Sequence, residues 1–234
     1  MYAGYLYSIL EGSLLSIQVA LGALVVAVVL GLAGAAAKLS RHKPLVWLGT
    51  IYSTIIRGIP DLVLMLLIFY GGQIGLNIAL ESVGYTDYVE INPFAAGLMT
   101  IGFIYGAYMT ETFRGAIMAI PPGQAEAGVA YGMSHTRVFF TIVLPQMVRL
   151  ALPGFTNNWL VLIKSTALVS ILGLPDMTYL AKQAGAAARG EVPNAALLFM
   201  AFAAAIYLVF TTVSLVALRQ LEKRYTMGVK RRAV

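Results

Sequence analysis

The chain has 234 residues, 59% of them hydrophobic and 11% charged, with a mean hydropathy of +0.82. Ordinary soluble domains run at about 45–50% apolar and about 25% charged, so a water-soluble fold with its own catalytic domain is excluded. No cysteine is present, which removes disulfides, thiolate nucleophiles and cysteine metal sites, and the formal charge of +6 fits topology-setting basic loops better than a nucleic-acid surface.

Apolar stretches run from end to end, so residues 1–234 are expected to form one all-α, polytopic membrane domain. The opening MYAGYLYSILEG lacks the positive n-region of a cleaved signal peptide, and the first helix is expected to be retained. Leu14 to Ala37 is uncharged and exceeds the roughly 20 residues needed to cross the hydrocarbon core. Further spans are expected near residues 62–80, 94–110, 159–174 and 195–218, about five in all. Between the first two, PLVWLGTIYSTIIRGIPD is interrupted at Arg57, Gly58 and Pro60. It reads equally as an interfacial segment from Val46 to Ile56 or as one long kinked helix, and Trp47 and Tyr52 suit either.

Charge sets the expected orientation. Lys38, Arg41 and Lys43 follow the first span without an acid, whereas Glu81, Asp87 and Glu90 follow the second without a base. The first connection is therefore expected in the cytoplasm. The tail after Leu218, with Arg219, Lys223, Arg224, Lys230, Arg231 and Arg232 against Glu222, is expected there too. Five spans then place the N-terminus outside, the C-terminus inside, and a long connection from about Glu111 to Gly154 in the cytoplasm.

That connection reads PPGQAEAGVAYGMSHTRVFFTIVLPQMVRLALPG, which predicts two short helices joined at Gly132 and Ser134. Pro121 and Pro122 suit a helix start, Ala125, Ala127, Gly128 and Ala130 permit close packing, Gly132 permits a positive φ, and Ser134 suits an N-cap. An amphipathic helix lying on the membrane or on its own bundle fits the same residues. The order Glu126, Ala127, Gly128, Gly132, Ile142, Leu144, Pro145 resembles the EAA loop of ABC importer permeases, with Gly128 where that family usually has Ala. The resemblance extends along most of the chain to the polar amino-acid permease group, which includes the Q-type permeases of histidine and lysine-arginine-ornithine importers. It is carried by IIRGIPDLVLMLLIFYG, GFIYGAYMTETFRGAI, LPGFTNNWLVLIKSTALVSILGL, IYLVFTTVS and LEKRYTMGVKR, with Ser165 where many relatives carry an acid or amide.

The resemblance implies a type I ABC importer permease fold in the bacterial inner membrane, with the loop as a coupling helix seated on an ATPase. It also implies a homologous M-type permease partner, two ATPase subunits that carry ATP and Mg, a periplasmic substrate-binding protein, and a basic amino acid as substrate. Membrane lipid is the remaining expected partner.

Polar residues at membrane depth are candidates for the pathway, because each is costly there unless paired. Glu111 and Arg114, at i and i+3, read either as a structural pair or as a carboxylate facing a cavity that Tyr105, Tyr108 and Thr110 line. Asp61 either flanks the second span or contacts substrate. Lys164 either snorkels or joins Asn158, Ser165, Thr166 and Ser170 on a polar face. Met99 and Met109 read as packing residues. The sequence shows no P-loop, metal cluster or nucleophile constellation, and His42 and His135 have no evident ligand partner. ATP chemistry is thus expected on another chain and no cofactor or enzymatic activity on this one. A self-sufficient secondary carrier is the alternative, but it usually has internal repeats that are not seen here.

Overall fold

The computed structural model describes residues 2–190 and 193–226, and their regular structure is helical. In chain order the helices are α1 (Tyr2–Lys38), α2 (Lys43–Gly58), α3 (Asp61–Ser82), α4 (Pro93–Met118), α5 (Pro122–Ala130), α6 (His135–Val138), α7 (Leu144–Ser165), α8 (Met177–Ala187) and α9 (Ala195–Thr226). Four helical runs are long and apolar enough to cross a membrane: Ala3–Lys38, Asp61–Ser82, His135–Leu172 and Ala195–Tyr225. The basic residues expected in the tail at Lys230, Arg231 and Arg232 lie outside the described residues.

The expected span 94–110 falls inside α4, which has 26 residues but is less apolar than these four because Tyr105, Tyr108, Glu111 and Arg114 dilute it. Its position explains how such a sequence is tolerated. α4 is the central helix, packed along α1 and touched by α2, α3 and α7, so its polar side chains meet protein rather than lipid. With little hydrophobic force between helices in a membrane, close van der Waals fit must hold them, and small residues supply it. A Cβ at Gly102 would lie 2.6 Å from Val26, and one at Gly34 would lie 2.2 Å from Thr110, so α1 and α4 approach as they do because these positions lack side chains.

The helix boundaries decide between the two readings of one segment and correct a second expectation. PLVWLGTIYSTIIRGIPD forms a separate helix, α2, whose end at Gly58 is followed by Ile59 and Pro60 in extended conformation before α3 begins. Pro60 has no N–H to continue a ladder and forces the residue before it out of the helical region. The connection expected from Glu111 to Gly154 is far shorter. α4 continues to Met118, and from His135 the chain is helical without interruption to Leu172, through a π turn at Phe139–Val143 and a closing 3₁₀ turn at Thr166–Leu172. The second of the two expected short helices is therefore the beginning of the membrane-crossing run, and the expected fourth span, 159–174, is its far half. The ring of Pro145 crowds the carbonyl one turn before it, and the chain absorbs this by widening to π rather than by ending the helix. Pro153 is likewise held inside α7.

At the opposite end of that run Gly173 turns the chain at φ +86°, and Asp176 caps α8, its Oδ1 accepting from the Tyr179 N–H at 2.9 Å. α8 packs against α9 and the first half of α1, closing a second small core around Ile9, Met177 and Phe199. On the same side, the side-chain amides of Gln73 and Asn77 clamp the backbone of Val89 and Ile91, which fixes the acidic α3–α4 connection against α3.

Candidate pathway and coupling site

The coupling residues come together at one end of the bundle. α5 runs nine residues from Pro122, and Gly132 reverses the chain at φ +80°, a conformation that side chains with a Cβ rarely adopt. Ser134 then caps α6, accepting from the Arg137 N–H at 3.4 Å. α5 is laid onto the π turn: a Cβ at Gly128 would come within 2.7 Å of Ile142 and 2.9 Å of Val138, so the Gly in place of the usual Ala is matched to the bulk of those neighbours. Pro121, Gln124, Ala127, Tyr131 and Ile142 border an open hollow of about 680 Å³, and Tyr131 is 89% exposed at its rim. Glu126 is exposed and makes no ion pair among the described residues, while Leu144 and Pro145 begin α7 directly below. The arrangement presents a short, rigid, partly apolar knob to whatever docks on it.

Asp61, Tyr105 and Tyr108 are also brought together. The break at Ile59–Pro60 puts Asp61 in the first turn of α3, facing α4, where Tyr105 donates its hydroxyl to Asp61 Oδ2 at 3.1 Å. The same hydroxyl lies 2.7 Å from Ser165 Oγ, so α3, α4 and α7 meet at one phenol. Tyr108 stacks on Tyr105 with ring centroids 5.6 Å apart, and the Arg57 guanidinium lies 5.6 Å from the Tyr108 centroid. Asp61 is half-buried and has no ion-pair partner among the described residues. A carboxylate beside two aromatic faces is suited to a cation, through charge and through the negative faces of the rings.

Glu111 lies in a different cluster. Lys38, at the end of α1, donates to Glu111 Oε1, and Arg114 donates Nε to Oε2 at 3.0 Å. Lys38 also donates to Ser53 of α2 at 2.9 Å, which ties three helices around one carboxylate. Thr110 is fully buried against α1, its hydroxyl returned to the Gly106 carbonyl at 2.9 Å.

The remaining candidates are dispersed along α7 and the 3₁₀ turn that follows it. Asn158 donates to Thr112 at 3.0 Å and joins α7 to α4. Lys164 is exposed and borders a cavity of about 280 Å³ with Leu160, Leu208 and Thr211, between α7 and α9. Ser170 bonds the Ala167 carbonyl and accepts from Lys182 of α8 at 3.4 Å. Met109 is fully buried, as a packing residue would be, whereas Met99 is 57% exposed. Sequence reasoning missed Lys38 as the partner of Glu111, having used it only for orientation, and placed Ser165 on a polar face with Lys164 without its contact to Tyr105. The signal for Lys38 was its position as the first charge after a long uncharged helix, where a lone base needs an acid nearby.

The profile of the family described as "Binding-protein-dependent transport system inner membrane component" matches residues 14–227. The histidine/lysine/arginine/ornithine transport system permease protein HisQ of Salmonella typhimurium is 49% identical over 231 residues, covering 99% of each chain. The arginine ABC transporter permease protein ArtQ of Escherichia coli is 35% identical, covering 93% of this chain and 94% of that one. Among solved structures, an amino acid ABC transporter with histidines aligns at a TM-score of 0.75 and 29% identity over 95% of this chain and 96% of that chain. The MetNI methionine transporter, at 15% identity and a TM-score of 0.67 over 94% of this chain and 95% of that one, shares the fold. With its central helix, its four apolar membrane-crossing runs and its protruding knob, this chain belongs to the family of inner-membrane components of binding-protein-dependent transport systems, as a permease subunit of an ABC importer.

Proposed function

We propose that this subunit forms part of the path for basic amino acids, histidine, arginine, lysine and ornithine among them, and that Asp61, Tyr105 and Tyr108 receive the positive side chain. The observation that carries this is the half-buried Asp61 carboxylate, held by a tyrosine hydroxyl at 3.1 Å and left without a cationic partner among the described residues. The names of HisQ and ArtQ support the substrate class. Glu111 is already matched by two cations and serves to hold α1, α2 and α4 together.

The α5 knob seats on a separate ATPase chain that binds ATP and Mg, and its movement passes to α4 and α7, which it joins. Transport requires a homologous M-type permease, two ATPase subunits and a periplasmic substrate-binding protein. The basic connection after α1 faces the cytoplasm with the C-terminus, and the acidic α3–α4 connection faces outward with the N-terminus.

The test is uptake of labelled arginine into proteoliposomes containing ATP and the binding protein, with and without the second permease, alongside native mass spectrometry of the purified assembly. Uptake that needs both permeases and ATP is expected, in a complex of two permeases and two ATPases. Uptake by this chain alone, driven by an ion gradient without ATP, overturns the reading in favour of a secondary carrier.

A further inference from the structure

Beside Asp61 and the two tyrosines stands a charge that nothing in the chain answers. Arg57 is exposed, and it makes no hydrogen bond or ion pair among the described residues, since both ion pairs belong to Glu111. Yet it does not stand at the membrane edge. α2 packs its Gly49 against Lys38 at the basic end of α1 and then runs inward, where Tyr52 donates to the carbonyl of Phe103, two turns of α4 before Glu111. Arg57 lies two turns beyond Gly49, about 12 Å along the helix. A guanidinium at that depth is costly unless an anion meets it, and it belongs on a path or against protein rather than in hydrocarbon.

Its relation to Asp61 narrows the kind of anion. Extended Ile59 and Pro60 separate α2 from α3, so Arg57 sits in the last turn of one helix and Asp61 in the first turn of the next. The two side chains form no ion pair with each other. Arg57 lies over the face of Tyr108, 5.6 Å from its centroid, while Asp61 accepts from the Tyr105 hydroxyl at 3.1 Å. The stacked rings of Tyr105 and Tyr108 link the two contacts. A base and an acid thus flank one pair of aromatic rings without neutralising each other, and the nearby bases Lys38 and Arg114 are already committed to Glu111.

We infer, resting on the assignment of Asp61 to the positive side chain, that Arg57 receives the α-carboxylate of the transported amino acid. Every amino acid carries that group, and a path through the membrane has to replace the water that the group loses. The planar guanidinium offers two parallel N–H donors to a carboxylate, a match that an ammonium lacks. The two charges also orient the substrate. Like charge turns the cationic side chain away from Arg57 and toward Asp61, and the carboxylate is turned the opposite way. Arg57 is therefore a second specificity residue, which selects an amino acid over an amine of the same length.

The experiment measures equilibrium binding of labelled arginine, and of agmatine, which is arginine without its carboxylate, to the purified permease–ATPase complex in nanodiscs. The binding protein is left out so that it cannot select first. The unaltered complex should bind arginine about 10- to 100-fold more tightly than agmatine, the factor that one charged hydrogen-bonded contact supplies. Arg57→Gln should weaken arginine by that factor and leave agmatine unchanged, which brings the ratio near one. Arg57→Lys keeps the charge without the fork and should give an intermediate ratio, and it keeps the test valid should the glutamine variant fail to assemble. Asp61→Asn should instead weaken arginine and agmatine alike. Unchanged affinity for both ligands in Asp61→Asn removes the assignment of Asp61, and the role of Arg57 falls with it. A wild-type ratio in either assembled Arg57 variant, with Asp61→Asn weakened as expected, overturns the role of Arg57 alone and makes it the partner of an acid on the second permease. Equal affinity of the unaltered complex for arginine and agmatine overturns it without any variant.

Discussion

Lys38, the last residue of α1, and Arg114, one turn along α4, hold opposite oxygens of Glu111. A carboxylate matched in this way at the edge of the membrane loses a charged hydrogen bond when it is neutralised, about 1.5–3 kcal/mol for each. Glu111→Gln, Lys38→Met and Arg114→Gln are each expected to lower the melting temperature of the assembled complex. The Lys38→Met, Glu111→Gln pair should fall short of the sum of the two single effects, because both remove one interaction. A Glu111→Gln complex that melts like the wild type yet loses stimulation by arginine would return Glu111 to the substrate path.

Coupling is expected to fail through two separate changes in the knob. Gly132→Ala must adopt φ +80° with a Cβ, at a cost of about 1–2 kcal/mol, and should reduce transport moderately. Gly132→Pro, locked near φ −65°, cannot make the turn and should abolish it. Glu126→Lys changes only an exposed charge and should leave insertion intact while uncoupling ATP hydrolysis from uptake. The check is the ratio of ATPase activity to arginine uptake in proteoliposomes. An assembled Gly132→Pro complex with the wild-type ratio would remove α5 from the coupling role.

The legible parts of this chain were those whose cause is local. Twenty-four uncharged residues from Leu14 to Ala37 announce a membrane helix, and the run from Glu126 through Gly132 to Pro145 announces the knob by residue type and spacing. The length of α7 was not legible because the run from Pro121 to Gly154 reads as a cytoplasmic loop of two short helices, and only the structure shows a π turn before Pro145 and Pro153 retained inside the helix. Glu111 is paired with its neighbour at i+3, as the spacing suggested, but its second partner, on α1, is 73 positions away, a distance that no local pattern reports. Asp61, Tyr105 and Ser165 share a site for the same reason: three helices bring them together, and each alone resembles a flanking or packing residue.

Asp176 gives the molecule a pH dependence outside its membrane-crossing helices. One oxygen caps α8, the other is buried without a hydrogen-bond partner among the described residues, and burial raises the carboxyl from 3.8 to about 6. The folded chain therefore keeps this proton where the unfolded chain has released it. The associated stability is fully present below about pH 4 and is lost as pH rises through about 6. Asp176→Asn retains the cap and stays neutral. Its melting temperature should match the wild type at pH 4 and exceed it at pH 7, by at most about 3 kcal/mol in stability. An equal gap at both pH values would mean that the carboxyl does not titrate in this range.

Substrate selection is expected to depend on Asp61. Removing its charge while keeping its shape, as Asp61→Asn does, takes one charged contact from a cationic side chain. At about 1.5–3 kcal/mol this corresponds to roughly a 10- to 100-fold loss. The loss should be specific, so the informative quantity is uptake of arginine relative to citrulline, which has the same length and no side-chain charge. Asp61→Asn should lower that ratio while leaving citrulline uptake, assembly and basal ATP hydrolysis near wild type. Tyr105→Phe removes the hydroxyl that joins Asp61 to Ser165, at 3.1 Å and 2.7 Å, without removing the carboxylate. It should lower the ratio by a smaller factor, because the acid is still present but less firmly oriented. Tyr108→Leu removes the stacked ring and should act in the same direction through loss of an aromatic face for the cation, worth about 0.5–2 kcal/mol. If a stable Asp61→Asn complex kept the wild-type ratio, the cation would be recognised elsewhere in the transporter, and Asp61 would be a structural acid at the start of α3.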